Sequence, residues 1–202
     1  MESIVKKIKY VFAVIVTIST MLLAGCQEGA GDADYGFGYI YIPQATFTGL
    51  NNHFPVPGGA GVNTYNFKVD TLANGTPDKL QIILGVYRAG KISDAGGFTV
   101  NVDVLSAMTD EAVTEIDDSL PLPQSMYSIP NKAGVEAGTN SVSFYLTVNV
   151  NQLTDVNYAG KKLVLAVGIS NPTSYELAED NTSVVVVIDV DAILDIILLS
   201  NE

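Results

Sequence analysis

The chain has 202 residues, with 22 acidic against 10 basic side chains and a formal net charge of −12 at pH 7. Nucleic acids and anionic lipid surfaces are bound mainly through Lys and Arg, so this balance disfavours both as partners. A single cysteine excludes a disulfide within the chain, and stability therefore has to come from a buried apolar core.

The first 25 residues have the charge order of an export signal. Three lysines, Lys6, Lys7 and Lys9, precede an uncharged and mostly apolar run at residues 10–23. This run is shorter than the roughly 20 residues that cross a bilayer as a helix, but it fits the apolar region of a signal peptide. We therefore predict that residues 1–25 are a leader that is removed on export.

The leader ends on Ala24 and Gly25, directly before Cys26. This order looks like the lipobox of bacterial lipoproteins, in which the cysteine is acylated and the leader is cut away. Two or more acyl chains hold a protein stably at a membrane, so Cys26 predicts a lipid anchor without a spanning helix. An ordinary secretory signal with a chance cysteine, or a short amino-terminal membrane helix, is the alternative. Residues 26–34 are predicted to be a flexible acidic spacer.

The folded domain, predicted as a single unit at residues 35–202, opens on a strand with aromatic alternation. Between residues 35 and 42 the aromatic side chains share one face, while Ile40 and Ile42 share the other. The aromatic row consists of Tyr35, Phe37, Tyr39 and Tyr41. Pro43 ends the strand, because proline lacks the N–H group that a sheet ladder needs.

Further strands are predicted from the same period of two. Apolar and polar residues alternate at residues 65–70, 98–104, 141–150, 163–169 and 184–190. The run at residues 80–87 is apolar enough to predict burial on much of both faces. In the strand at 98–104, Val104 is predicted to point inward together with Phe98, Val100 and Val102. A brief extended segment is predicted at residues 126–129.

Residues 106–118 form the one helix that the sequence favours. Thr109 could cap it, and Val113 and Ile116 lie three apart on one face. A structured loop is the alternative. About eight strands with turn signals between them, and hardly any helix, predict an all-β antiparallel sandwich. The apolar tail at residues 192–199 is predicted to be an edge strand or short helix over the base of the sandwich, or a strand donated to a neighbouring subunit.

The order of these elements resembles a known family, the Bacteroidetes domain of unknown function seventeen-thirty-five. The resemblance extends over residues 35–190 and is carried by three segments: the aromatic strand at 39–45, the strand at 98–104, and the Leu-Pro-Gln-Ser-Met-Tyr-Ser-Ile-Pro segment at 122–130. It implies an immunoglobulin-like sandwich at the amino terminus of a glycan-related lipoprotein. This chain departs from the pattern because it ends soon after the sandwich, so the role of a following domain is not carried over.

The resemblance also implies a location, and it brings no catalytic residues. In Bacteroidetes lipoproteins, acidic residues soon after the acylated cysteine resemble a signal for display on the outer face of the cell. Here the acids Glu28, Asp32 and Asp34 are scattered through the spacer, so the match to that signal is partial. We expect an outer membrane lipoprotein that is exposed at the cell surface.

Side chains that could carry catalysis are few. His53 is the only histidine, and no cysteine or second histidine is available to share a metal with it. The acid pairs Asp117–Asp118 and Asp189–Asp191 are predicted to be solvated, although two carboxylates can flank a glycosidic bond and carboxylate oxygens suit Ca²⁺. The sequence has no glycine loop with a lysine for phosphate groups. We therefore expect no enzyme activity, no metal and no cofactor.

The aromatic row is the one surface feature with a binding rationale. If exposed, Tyr35, Phe37, Tyr39 and Tyr41 could stack on sugar rings, with their hydroxyl groups at the rim. Against this, the chain has no tryptophan, and an aromatic row on an edge strand can equally pack beneath a loop.

Two short triplets are similar to the Asp–Ser/Thr–apolar acceptor for protein O-glycosylation in Bacteroidetes. They are Asp70-Thr71-Leu72 and Asp118-Ser119-Leu120. They predict Thr71 and Ser119 as modification sites, although triplets of this length also recur by chance.

Two functional hypotheses remain open at this point. The first is a non-enzymatic, lipid-anchored surface module that binds glycan or another surface protein as an accessory of glycan uptake. The second is a structural fimbrial subunit that uses its apolar tail for strand exchange. The only arginine is Arg88, whereas similar pilins carry an arginine near the first strand, and the chain is short for two sandwiches.

Overall fold

The inner faces of two β-sheets enclose the apolar core in the computed structural model, which describes residues 38–46, 52–58, 66–90 and 95–199. Within these ranges the chain forms twelve strands. They are β1 (Tyr39–Tyr41), β2 (His53–Val56), β3 (Phe67–Thr71), β4 (Pro77–Arg88), β5 (Phe98–Val104), β6 (Ser119–Pro121), β7 (Tyr127–Ser128), β8 (Lys132–Val135), β9 (Ser141–Asn149), β10 (Lys162–Ser170), β11 (Glu176–Leu177) and β12 (Ser183–Asp189). The predicted leader, Cys26, the spacer and the first two aromatic positions, Tyr35 and Phe37, lie outside the described residues.

Each sheet contains six strands. Sheet A has the order β11–β1–β4–β9–β7, with β3 also paired to β4, and sheet B has the order β2–β12–β10–β5–β8, with β6 also paired to β10. Most neighbours are antiparallel, whereas β1–β11, β2–β12 and β6–β10 are parallel. The predicted all-β sandwich is confirmed, and the structure adds several strands of two or three residues and three parallel pairs.

Alternation of side chains explains how the core is filled. In β4 the side chains of Leu80, Ile82, Leu84 and Val86 are completely buried. The neighbouring strand β9 buries its own alternate residues, Phe144, Leu146 and Val148. Burying one such side chain contributes about 1.5–3 kcal/mol to folding. The outward positions of β4 are half-buried rather than exposed, as the long apolar run predicted.

Three α-helices flank the strands among the described residues: α1 (Ser106–Glu115), α2 (Val150–Leu153) and α3 (Val190–Leu199). Short 3-10 turns lie at Pro43–Thr46, Gln124–Met126 and Val156–Tyr158. Ala112 of α1 packs on Val164, Ala166 and Val185 of sheet B, so the central strand β10 is buried on both faces. In the described part of the chain, none of the helices combines the length and apolarity needed to span a membrane.

The predicted helix at 106–118 is confirmed, but it ends at Glu115 and its predicted cap is wrong. The N-cap is Leu105, and Thr109 lies inside the helix with a buried side chain. Its hydroxyl donates to the Leu105 carbonyl at 3.0 Å and accepts the Ala166 N–H of β10 at 2.9 Å. Thr109 therefore fastens the helix to sheet B rather than capping it.

Val104 also departs from its predicted position. Phe98, Val100 and Val102 point into the core as predicted, whereas Val104 is 38% exposed. It is the last residue of β5, and Leu105 already begins the turn into α1. The alternation of apolar and polar residues in the sequence therefore extends to Val104, one inward position further than the part of β5 that packs against the core.

The apolar tail forms helix α3, which is one of its predicted alternatives and adds a second long helix to the one that the sequence favoured. Ile193 and Ile197 are buried in the main core, whereas Leu198 is 67% exposed. The main-chain N–H of Ala192 in its first turn donates to Asp189 Oδ1 at 3.1 Å. The tail is thus a packed part of the sandwich.

One edge of β4 is shared by β1 and β3, and a side chain closes the gap between them. The N–H of Gly85 donates to Oε1 of Gln44 at 3.0 Å, and the N–H of Ile83 donates to the carbonyl of Asn66 at 3.0 Å. The amide of Gln44 thereby takes the place of a strand carbonyl. Adding a Cβ at Gly85 would bring it within 3.2 Å of the Val142 carbonyl.

The Thr109 contact predicts a loss of stability on Thr109→Val. The valine keeps the shape but leaves the buried Ala166 N–H without its acceptor, so we expect the free energy of unfolding in urea to fall by about 1–3 kcal/mol. Thr114→Val on the exposed side of the same helix is the control, and its effect should stay within about 0.5 kcal/mol. Equal losses in the two variants would contradict the fastening role.

Helix α3 predicts opposite outcomes for two of its aliphatic residues. Ile193→Ala removes a completely buried side chain and should lower the free energy of unfolding by about 2–5 kcal/mol. Leu198→Ala, at an exposed position of the same helix, should change it by no more than about 0.5 kcal/mol. Small effects of both substitutions in urea unfolding would instead favour a tail that is free to leave the core.

Candidate functional site

A cleft of about 750 Å³ lies at the edge of sheet A where β1 meets the loop around β11. Its walls combine tyrosine rings, acidic side chains and small apolar groups. The lining residues are Tyr39, Tyr41, Thr46, Ala89, Glu176, Leu177, Ala178, Glu179, Asp180 and Asn181. The cleft therefore joins the predicted aromatic surface to a loop for which the sequence predicts no site.

Strand β1 sends its two kinds of side chain in opposite directions. Ile40 and Ile42 are completely buried in the core, whereas Tyr39 is 42% exposed and Tyr41 is half-buried. Because successive side chains alternate across a strand, burying the isoleucines obliges both tyrosines to face away from the core. The predicted shared face is therefore observed for the two described members of the aromatic row.

Tyr41 is supported by a second tyrosine on the neighbouring strand. Its cross-strand partner is Tyr87 of β4, and the two rings are tilted by 56° with their centroids 5.5 Å apart. Burial, and to a smaller extent the nearby Tyr87 phenol, raises the pKa of Tyr41 above the usual 10.0. Since the neutral form is favoured, Tyr41 remains a hydrogen-bond donor at neutral pH.

The second wall is formed by residues 176–181, which are tied to β1 through the main chain. Strand β11 pairs with β1 in parallel, with Tyr39 opposite Glu176. The Ala178 N–H donates to the Ile40 carbonyl at 2.9 Å, and the Ile42 N–H donates to the Asn181 carbonyl at 2.8 Å. These bonds fix the distance between the tyrosines and the acidic side chains.

The charge of this wall is negative. Glu176, Glu179 and Asp180 are exposed at the cleft, and the described residues that line it include neither lysine nor arginine. Carboxylate oxygens accept hydrogen bonds, and the amide of Asn181 adds both donors and an acceptor. The arrangement can hold a ligand that has an apolar ring face and several hydroxyl groups.

The loop that carries this wall has an unusual backbone. Asn171, Tyr175 and Asn181 have positive φ angles of 48°, 67° and 65°. Asparagine tolerates this left-handed region, whereas for a bulky residue such as tyrosine it is a genuine outlier that costs on the order of 1–3 kcal/mol. Strain of this kind persists only where surrounding contacts hold the residue in place.

The other predicted candidates lie away from the cleft. His53 is half-buried in β2 of sheet B, and Asp118 lies 2.8 Å from the Lys161 ammonium. A hydrogen bond from Lys161, reinforced by its charge, lowers the pKa of Asp118. Asp189 caps the start of α3, and Asp191 accepts the Gly160 N–H at 3.0 Å. Among the described residues no group of three or more His, Cys, Asp or Glu could hold a metal ion.

The two predicted glycosylation sites have different surroundings. Thr71 is exposed at the end of β3, next to a register shift in its pairing with β4. Ser119 is half-buried, and its hydroxyl is directed at the Ile116 carbonyl at 2.7 Å and the Val113 carbonyl at 3.0 Å. Only the Thr71 hydroxyl therefore has the open surroundings that an acceptor needs.

The acidic wall was missed because its position depends on tertiary pairing. Strand β11 has two residues, which is too short for alternation to reveal. The available signal was a run of acids, Glu176, Glu179 and Asp180, between two predicted strands. That signal predicts an exposed loop but does not indicate which strand the loop will meet.

Comparison with solved structures places the chain beside proteins from Bacteroides. A candidate carbohydrate binding protein from Bacteroides ovatus has a TM-score of 0.46 and 9% identity, over 75% of this chain and 36% of that protein. A multidomain protein of the same species that includes the domain of unknown function seventeen-thirty-five has a TM-score of 0.47 and 13% identity, over 74% and 43%. An auxiliary nutrient binding protein from Bacteroides thetaiotaomicron has a TM-score of 0.43 and 16% identity, over 70% and 45%.

The chain thus spans less than half the length of each of these structures. Among curated proteins no sequence matches it. A family model with the description "-like, N-terminal domain" matches residues 36–176. Because this match extends over more than half of the chain, the protein belongs to that family of N-terminal domains.

Proposed function

We propose that the protein is a non-enzymatic, lipid-anchored module of the bacterial surface that binds an uncharged glycan in the cleft between β1 and the 176–181 loop. The observation that carries this proposal is the meeting of outward tyrosines with hydrogen-bonding carboxylates in one cleft of about 750 Å³. Ligand pockets in proteins typically have volumes of about 300–1,000 Å³, and the volume of this cleft lies within that range.

The tyrosines supply the apolar part of recognition. One face of a pyranose ring is covered by C–H groups, and it can lie against an exposed aromatic ring while the Tyr hydroxyl bonds at the rim. Tyr39 is the more exposed of the two, and Tyr41 is held at a fixed tilt by Tyr87. A rigid aromatic surface loses little conformational freedom when a ligand binds.

The acidic wall determines the charge of the ligand. Glu176, Glu179 and Asp180 can each accept hydrogen bonds from sugar hydroxyls, but they repel carboxylated or sulfated saccharides. None of the described residues that line the cleft is cationic, so none of them offsets that repulsion. A neutral glycan is therefore the class that these side chains favour.

The place of the module in the cell is part of the proposal. The lipobox-like residues before Cys26 support an acyl anchor, and the spacer at 26–34 would allow the domain to extend from the membrane. We also propose that the chain is a member of one specific family, the domain of unknown function seventeen-thirty-five. Two of the similar structures are described as a carbohydrate binding protein and a nutrient binding protein. For this chain, the proposal of glycan binding rests on the cleft.

The fimbrial alternative would need the tail as a free donor strand. In the structure the tail is helix α3, with Ile193 and Ile197 in the main core. Releasing it would expose both side chains to water, at a cost of about 1.5–3 kcal/mol each. This burial favours the binding module over the pilin.

The glycan proposal predicts a loss of retention in the Tyr39→Ala/Tyr41→Ala double variant. In affinity electrophoresis through glycogen, mannan and xyloglucan, we expect the intact protein to be retarded by at least one of these neutral polysaccharides. The double variant should bind that polysaccharide about tenfold or more weakly, because it lacks both stacking surfaces.

Tyr158→Ala is the matched control, since Tyr158 is half-buried like Tyr41 but is not one of the described residues that line the cleft. It should be retained like the unmodified protein, and polygalacturonate and heparin should retain none of the proteins. Migration of the unmodified protein unaffected by every neutral polysaccharide, or full retention of the double variant, would contradict the proposal.

The anchor predicts incorporation of labelled palmitate into the full chain and none into Cys26→Ser. The variant should also leave the membrane fraction, because it lacks the only cysteine that could be acylated. An unlabelled wild-type chain, together with a Cys26→Ser variant that stays in the membrane fraction, would rule out the anchor.

A further inference from the structure

We propose that Arg88 and Tyr175 are positioning residues for the cleft: their stacked contact holds the 176–181 wall against β1. The inference rests on the proposed function only where it treats that wall as part of a ligand site. We call this stacked contact between Arg88 and Tyr175 the lock. It is argued from the contacts of a buried arginine and of a tyrosine in a left-handed backbone conformation.

Arg88 is the last residue of β4, and its side chain is 1% exposed. Nη1 donates to the Gly96 carbonyl at 3.2 Å, and Nη2 donates to the Thr139 carbonyl at 3.2 Å and to Asn140 Oδ1 at 2.6 Å. Its main-chain N–H donates to the Asn140 carbonyl at 2.8 Å. Among the described residues Nε has no hydrogen-bond partner. The guanidinium thus ties the end of β4 to two separate loops.

The ring of Tyr175 lies on this guanidinium. Its centroid is 4.7 Å from the Cζ atom of Arg88, and the Phe98 ring lies 6.0 Å from the same atom. Tyr175 and Phe98 meet edge to face at 5.5 Å, and the Tyr175 hydroxyl donates to the Gly96 carbonyl at 3.1 Å. Cation–π attraction is strongest where water is excluded, and the planar guanidinium can stack while its edges donate hydrogen bonds.

Tyr175 directly precedes the wall of the cleft. With φ at 67°, its backbone turns the chain so that Glu176 and Leu177 enter the parallel pairing with β1. A tyrosine adopts this conformation only when other contacts compensate for it. The stack on Arg88 and Phe98 and the bond to Gly96 are those contacts, and they lie on the core side of the chain opposite the cleft.

A role limited to core packing makes a different prediction from a positioning role. Loss of core packing lowers global stability, so all amides that exchange through global unfolding accelerate by one factor. Loss of a lock on one wall accelerates the amides of that wall selectively. The Ala178 and Ile42 N–H groups report on the wall, because each bridges it to β1, whereas the Leu165 N–H in buried strand β10 reports on the core.

The experiment is amide hydrogen exchange followed by NMR on the full chain with Tyr175→Leu. Leucine keeps an apolar side chain and the same backbone demand but lacks the aromatic face and the hydroxyl. We expect exchange at Ala178 and Ile42 to accelerate about tenfold more than at Leu165, the size of effect expected from losing a desolvated cation–π contact. Tyr158→Leu, at another half-buried tyrosine that packs on the core, should not accelerate exchange at Ala178 and Ile42 more than at Leu165.

Tyr175→Gly is the second variant, because glycine removes the backbone strain and so favours folding even without the ring. It should show the same selective acceleration. Equal factors at the three amides in the Tyr175 variants, or unchanged exchange at Ala178 and Ile42, would overturn the lock. Selective acceleration in a protein that no neutral polysaccharide retains would leave the lock standing and refute the glycan site alone.

Discussion

The uninterrupted pairing of β4 with β9 is the constraint on which sheet A depends. Nine consecutive residue pairs, from Lys79 opposite Asn149 to Tyr87 opposite Ser141, fix which side chains of β4 face the core. A slip by one residue would exchange the two faces completely and place Leu80 and its buried neighbours in water. The same register places Tyr87 on the outer face, where the pairing of β1 with the end of β4 brings it opposite Tyr41.

Sequence alternation predicted the long strands well, because each of them covers one apolar face for six residues or more. It also placed Tyr39 and Tyr41 on one face, since Ile40 and Ile42 had no other way to be buried. What alternation could not supply was the partner of each short strand. The parallel pairing of β11 with β1 joins residues more than 130 positions apart, and β11, with two residues, is too short to show alternation.

The features that the sequence did not predict correctly, or left open, also depend on tertiary contacts. Thr109 has the chemistry of a cap, but the nearby N–H of Ala166 on β10 offered its hydroxyl a buried partner. The tail was ambiguous because a short apolar run suits a buried helix and a buried strand equally. The role of Arg88 was hidden for a different reason: its acceptors are carbonyl groups and its neighbours aromatic rings, so no charge pattern along the sequence marks it.

The side chain of Gln44 has a consequence for how this protein meets other chains. With β1 on one stretch of the β4 edge, β3 on another, and the Gln44 amide and Asn66 carbonyl filling the space between, that edge has few main-chain donors left to offer. Intermolecular β-sheet growth starts from rows of such unsatisfied groups. Each molecule is thereby shielded, along its longest strand, from the intermolecular strand pairing that converts neighbouring sandwiches into aggregates.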